Sequence, residues 1–95
     1  MKPFVLTQAA QNDLREIALF TQRRWGKDQR NAYLKQLDDT FWLLAENPDI
    51  GKSCDEIRQS YRKFPQGSHI IFFQQINSHQ IKIVRILHKS MDVNL

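Results

Sequence analysis

Arg85 and His88 stand at the end of an apolar run in the C-terminal stretch IKIVRILHKSMDV, and bond chemistry could be built on them. Cleaving RNA needs a base for the 2′-hydroxyl, an acid for the leaving oxygen and cations for the phosphorane charge, all converging at one phosphate. Strand side chains alternate, however. An extended 81–88 puts Ile81, Ile83, Arg85 and Leu87 on one face and Lys82, Val84, Ile86 and His88 on the other. Arg85 and His88 then converge only if a bulge or the strand's end intervenes. A guanidinium among Ile81, Ile83 and Leu87 also needs an open face or a carboxylate opposite, and Asp92 and Glu56 are the candidate mates. Without convergence, the pair serves as contact chemistry on a surface.

Other reactive residues are sparse. His69, His79 and His88 with the lone Cys54 lack metal-ligand spacing, since zinc needs four such ligands, or three and an open position. No glycine loop cradles a phosphate and no nucleophile elbow is present, so neither a metal nor a cofactor is expected. His69 reads as a hydrogen-bonded or exposed strand residue, and His79 as part of a turn. One cysteine excludes an internal disulfide, which fits a reducing cytoplasm; Cys54 reads as an inert loop side chain.

Ninety-five residues, 41% hydrophobic with 25% charged, make one folded domain spanning 1–95 with room for one small core. No apolar run approaches a membrane helix and no signal peptide is evident. The formal charge is +4 and unevenly placed. Residues 1–50 balance seven Lys and Arg with seven Asp and Glu, whereas residues 51–95 hold seven against three. A basic C-terminal half favours an anionic partner: nucleic acid, an acidic protein segment, or nucleic acid held by another protein.

The elements that must position these residues follow from periodicity. KPFVLT reads as a first strand, with Pro3 at its start because it cannot donate to a ladder. Thr7 is placed to cap a helix in which Ala10, Leu14, Ile17, Ala18, Thr21 and Trp25 form one stripe, ended by Gly26. A second helix, with Asp28 as its cap, shows Leu34, Leu37, Phe41, Leu44 and Ala45 on one face and closes at Pro48. The short link predicts an antiparallel hairpin. Tyr33 and Trp42 lie off the stripe, either packed on the neighbouring helix or exposed as aromatic anchors.

After the turn-rich NPDIGKSCDEI, the segments SYRKF, SHIIFFQQI and QIKIVRILH read as a three-strand antiparallel meander separated by PQG and NSH. IIFF is apolar on both faces, which marks a central strand covered by the hairpin on one side. Its second cover is expected to be polar side chains, the C-terminal tail or a partner.

This order, with LTQAAQNDLREI, WG ending the first helix, LAENPDIGKSCDEI, SYRKF and above all IVRILHKSMDV, resembles the ParE branch of the RelE/ParE superfamily of bacterial toxins across nearly the whole chain. The resemblance implies an α+β fold of order β-α-α-β-β-β, a helical hairpin on a small, mainly antiparallel sheet. It also implies the toxin of a type II toxin–antitoxin system, neutralised by a cognate antitoxin. ParE-like members poison DNA gyrase; RelE-like members cleave messenger RNA on the ribosome.

Arg62 and Arg85 match positions where the nuclease branch carries phosphate-binding arginines, and His88 falls near its terminal acid. Those three would be the catalytic set of a nuclease, with Lys52 and Glu56 as further candidates, but the basic run ending in tyrosine is absent and HKSMDV stands in its place. The expectation is therefore a gyrase poison with no catalytic residues, acting on the enzyme with its DNA. Arg62, Lys63, Arg85, His88 and Lys89 are the expected target contacts. Ile71, Phe73, Ile83, Leu87 and Trp42 are the surface expected to receive a disordered antitoxin segment that folds on the toxin, in a complex that could assemble further. A ribosome-dependent ribonuclease and a non-toxic or decayed binding module are the alternatives.

Overall fold

The structure, a computed structural model, describes residues 2–91. Strand β1 (Phe4–Leu6) leads into helix α1 (Gln8–Trp25), and helix α2 (Lys27–Glu46) follows at once. Thr7 caps α1 as expected: its Oγ1 accepts from the Ala10 amide at 3.0 Å and donates to the Val84 carbonyl at 2.7 Å, tying the helix start to the last strand. Gly26 makes the link between helices at φ 93°, a conformation that side-chain-bearing residues avoid. It is also the N-cap of α2. Asp28, expected in that place, sits inside the first turn because the helix begins immediately after the glycine.

A 3₁₀ turn at Pro48–Ile50 leads to the two-residue strand β2 (Lys52–Ser53), then β3 (Tyr61–Gln66), β4 (His69–Asn77) and β5 (Gln80–His88). The sheet order is β1-β5-β4-β3-β2. The predicted meander is β3-β4-β5, antiparallel throughout, and β1 adds to β5 in parallel. Strand β3 runs through Pro65 and Gln66, so the turn is shorter than PQG suggests.

Both helices cover one face of the sheet. Leu37, Phe41 and Leu44 of α2 and Ala10 and Ile17 of α1 pack with Phe4, Ile71, Phe73, Ile81, Ile83 and Ile86. Trp25, expected on the buried stripe, is 65% exposed, because α1 ends there. The other face of β4 is covered by the chain itself. Cys54, Tyr61, Phe72 and Leu87 form a second cluster, flanked by Ile57, Ile70 and Val84. The cover expected from a tail or a partner is thus the loop from Cys54 to Tyr61. It is held by the Cys54 amide on the Tyr61 carbonyl and by Asp55 accepting from the Ser60 amide.

The alternation along β5 is broken by a bulge. Phe72 pairs with Arg85 but Phe73 pairs with Ile83, leaving Val84 as the extra residue. Ile86 consequently joins Ile81 and Ile83 in the helix-side core, while Leu87 joins the opposite cluster. This corrects the faces expected from strict alternation.

Candidate functional site

Strand β1 pairs β5 only up to Ile83, so beyond the bulge β5 is an edge strand lying beside α1. An edge leaves backbone donors unpaired. Asp13, on the second turn of α1, fills the gap: its carboxylate accepts the Ile86 amide at 2.9 Å and the Arg85 guanidinium in a two-pronged pair, Nε at 2.8 Å and Nη2 at 2.9 Å. This hydrogen-bonded partner raises the Arg85 pKa further above its ordinary value, against a smaller opposing effect of burial. Glu56 is therefore not the mate of Arg85, since it is exposed in the loop on the other side, and Asp92 lies outside the described residues.

Asp13 is the functional-site residue that the sequence reading missed. It lies three residues after Ala10 and four before Ile17, on the buried stripe, and a carboxylate there needs a partner.

A groove of about 640 Å³ opens between α1, the start of α2 and the ends of β4 and β5. Phe20 and Met91 wall it, Trp25 stands at one end, and Arg85, His69 and His88 lie on its floor and rim. Arg85 and His88 thus border one depression, as the strict alternation did not foresee. They are not brought into one catalytic constellation, because the guanidinium is bound to Asp13.

His88 is exposed, and its Nδ1 lies 2.7 Å from Ser90 Oγ and accepts the Ser90 amide at 3.1 Å. Opposite it across the β4–β5 ladder is His69, with the two rings edge to face and their centroids 5.4 Å apart. His69 Nδ1 is 2.6 Å from the Tyr33 hydroxyl, which also donates to the Gln66 carbonyl and accepts the Ser68 amide. Burial, with the neighbouring His88 adding to it, lowers the His69 pKa from its ordinary value, and Asp13 opposes the shift.

The remaining expected contacts are scattered. Arg62 is half-buried on β3, donating to the Gly51 carbonyl at 2.8 Å and lying 3.7 Å from Asp49. Lys63 is half-buried opposite Phe72 and Lys52, and Lys89 is exposed after β5. Ile71, Phe73 and Ile83 are fully buried beneath the helices and Leu87 is 8% exposed, so none of them is the open face expected for an antitoxin. The reason is that the hairpin and the 54–60 loop between them cover both sides of the sheet. Trp42 alone of that set is open, at 40%, with its ring edge against Phe4. Among the described residues no three His, Cys, Asp or Glu side chains are grouped to hold a metal, and no helix is long and apolar enough to cross a membrane.

The fold is a small α+β domain, a helical hairpin on one face of a five-stranded mixed sheet. A chain of the chromosomal ParDE toxin–antitoxin system of P. aeruginosa superposes with a TM-score of 0.74 over 93% of this chain and 96% of its own, at 17% identity.

The family described as the ParE toxin of type II toxin–antitoxin systems matches residues 4–93. Toxin ParE1 of Mycobacterium tuberculosis is 45% identical over 96% of this chain and 93% of its own. Toxin ParE1 of Caulobacter vibrioides is 35% identical over 97% and 94%. Toxin ParE of Escherichia coli is 30% identical over 98% and 90%. The chain belongs to the ParE family of type II toxins, whose partner is an antitoxin.

Proposed function

We propose that this toxin acts by binding DNA gyrase with its DNA and trapping the cleaved intermediate, and that its antitoxin suppresses this by covering the groove beside α1. The observation that carries the reading is the Arg85–Asp13 pair. A phosphate-binding arginine must offer free donors to a phosphorane. Arg85 gives Nε and Nη2 to a carboxylate whose other work is to close the β5 edge, so the two-pronged face that would grip a phosphate is already taken and only the remaining N–H groups are free. Arg62 likewise donates inward to Gly51. Poisoning a topoisomerase needs no bond chemistry from the toxin, only higher affinity for the enzyme–DNA intermediate than for free enzyme.

Phe20 and Met91, 63% and 56% exposed, give the groove apolar walls suited to a segment that folds on binding. Trp42, half-open beside Phe4 of β1, is a second anchor for the same partner. Gyrase as target places the protein in the cytoplasm, and the toxin–antitoxin pair is free to assemble further.

The test is to incubate the purified toxin with gyrase, ATP and supercoiled plasmid, and separately with programmed ribosomes. Linear plasmid released by detergent and protease, with intact message, is the expected result. Cleaved message with no trapped DNA breaks would overturn the proposal in favour of a ribonuclease.

A further inference from the structure

The tip of the helical hairpin carries a charge pattern that the half-by-half count conceals. Within residues 23–30, in RRWGKDQR, four cations (Arg23, Arg24, Lys27 and Arg30) surround one tryptophan and meet a single carboxylate, Asp28. Arg23, Arg24, Trp25 and Lys27 are all exposed, and among the described residues none of the four cations is in an ion pair. Arg24 lies over the Trp25 ring at 5.5 Å, which holds the indole outward beside a guanidinium.

Local stability explains only half of this. Arg23 and Arg24, in the last turn of α1, complement that helix's negative end. Arg30 is taken up by the Gln22 and Asn31 side-chain oxygens, but Lys27 stands at the positive N-terminal end of α2, where the macrodipole disfavours a cation. Gly26 supplies no side-chain cap, and Asp28 is the one acidic residue in that turn. Three exposed cations in no ion pair among the described residues, one of them against its own helix dipole, beside an exposed aromatic are better accounted for by a partner than by folding.

From this we infer that the hairpin tip binds DNA, with Arg23, Arg24 and Lys27 on backbone phosphates and Trp25 stacked on an unpaired base. The inference rests on the gyrase reading for its biological setting and not for its physics. Clustered cations that track a backbone around a flat aromatic are what single-stranded nucleic acid binds. Arginine in particular matches phosphate through its planar fork of donors. At a cleaved DNA gate, strand ends and unstacked bases are the form of DNA that such a surface distinguishes from intact duplex.

The experiment measures fluorescence anisotropy of a short labelled single-stranded DNA, and of its duplex, titrated with the purified toxin over a range of salt. No gyrase is present. Three phosphate contacts predict a single-strand affinity falling roughly 18-fold between 50 and 200 mM salt, and a duplex affinity falling roughly 40-fold, with the single strand preferred. Arg23→Gln with Lys27→Gln should lower the logarithmic salt slope for the single strand by about 1.4, and Trp25→Ala should weaken single-strand binding about five-fold or more. Both sites are exposed, so circular dichroism should show the variants folded.

If the double variant binds DNA like the parent, or the parent binds no DNA, the inference falls. It falls also if the variant keeps DNA binding but loses antitoxin, or if the parent ignores DNA and binds anionic vesicles. DNA binding abolished by these changes while gyrase is never poisoned would support the surface and reject the gyrase target. Poisoning and DNA binding that both survive the changes would reject the surface alone.

Discussion

Replacing Asp13 should destabilise this toxin more than replacing Arg85, although the two form one ion pair. The carboxylate is 12% exposed and serves three donors, two on Arg85 and one on the Ile86 amide. Asp13→Ala orphans the amide of an edge strand, at about 1–3 kcal/mol. It also leaves the guanidinium without its acceptor. That side chain is 33% exposed, so water recovers part of the loss and roughly 1 kcal/mol remains.

The total is about 3 kcal/mol. For a domain of this size that lowers Tm by roughly 12–24 °C. Arg85→Ala leaves Asp13 holding the Ile86 amide and should cost only about 1–2 kcal/mol. The double variant should be no worse than Asp13→Ala, because removing the arginine also removes the stranded charge. Urea denaturation followed by circular dichroism measures all three. Arg85→Ala proving as costly as Asp13→Ala, or Asp13→Ala costing under about 0.5 kcal/mol, would refute the claim that Asp13 closes the β5 edge.

Three further outcomes follow from the packing. Burial lowers the His69 pKa in the folded state, so on acidification the unfolded chain takes up its proton first. Stability should therefore fall as pH drops below about 6.5 and level off past the lowered folded pKa, and His69→Asn should flatten that slope in denaturation curves between pH 7.5 and 5.5. Burial raises the Cys54 pKa, with Glu56 acting in the same sense and Lys63 against it. The native thiol should resist a disulfide reagent at pH 8 that labels it at once in denaturant, and stoichiometric native labelling would contradict its place in the second core. A methyl group at Gly51 would run into the fully buried Phe73 ring, so Gly51→Ala should cost about 1–3 kcal/mol in the same urea assay.

The elements were legible because their periods are strong. Thr7 and Gly26 mark the limits of α1 by local chemistry, and the IIFF run identifies the central strand by being apolar on both faces. What was hidden depends on contacts distant in sequence. Val84 bulges because of how β5 meets β4, and nothing in IKIVRILH distinguishes it from a regular strand residue. The bulge then reverses the facing of every residue after it, which is why Ile86 proved to be core and Leu87 lay on the opposite face. The loop that covers Phe72 looked like a mere connection because only Ile57 and Cys54 in it are apolar. Asp13 could have been found from its place on the α1 stripe, but its partner, 72 residues away, could not.

The same distinction governs how charge should be read for function. A count by halves assigned the anionic partner to residues 51–95, yet Arg85 there is bound to Asp13 and Arg62 to the Gly51 carbonyl. The neutral first half is strongly polarised. Lys27 and Arg30 lie at the start of α2, while Asp38 and Asp39 lie past its middle and Glu46 at its end, and among the described residues only Lys35, bound to Asp39, pairs with any of them. No basic residue occupies the last turn, and at the first turn Asp28 is the one acidic residue set against Lys27. Arg30 finds native acceptors in Gln22 and Asn31, but Lys27, Arg23 and Arg24 are in no ion pair among the described residues. A cation in the sequence is thus evidence for a partner only after its native acceptor has been sought, and on that criterion the hairpin tip ranks above the arginine that first drew notice.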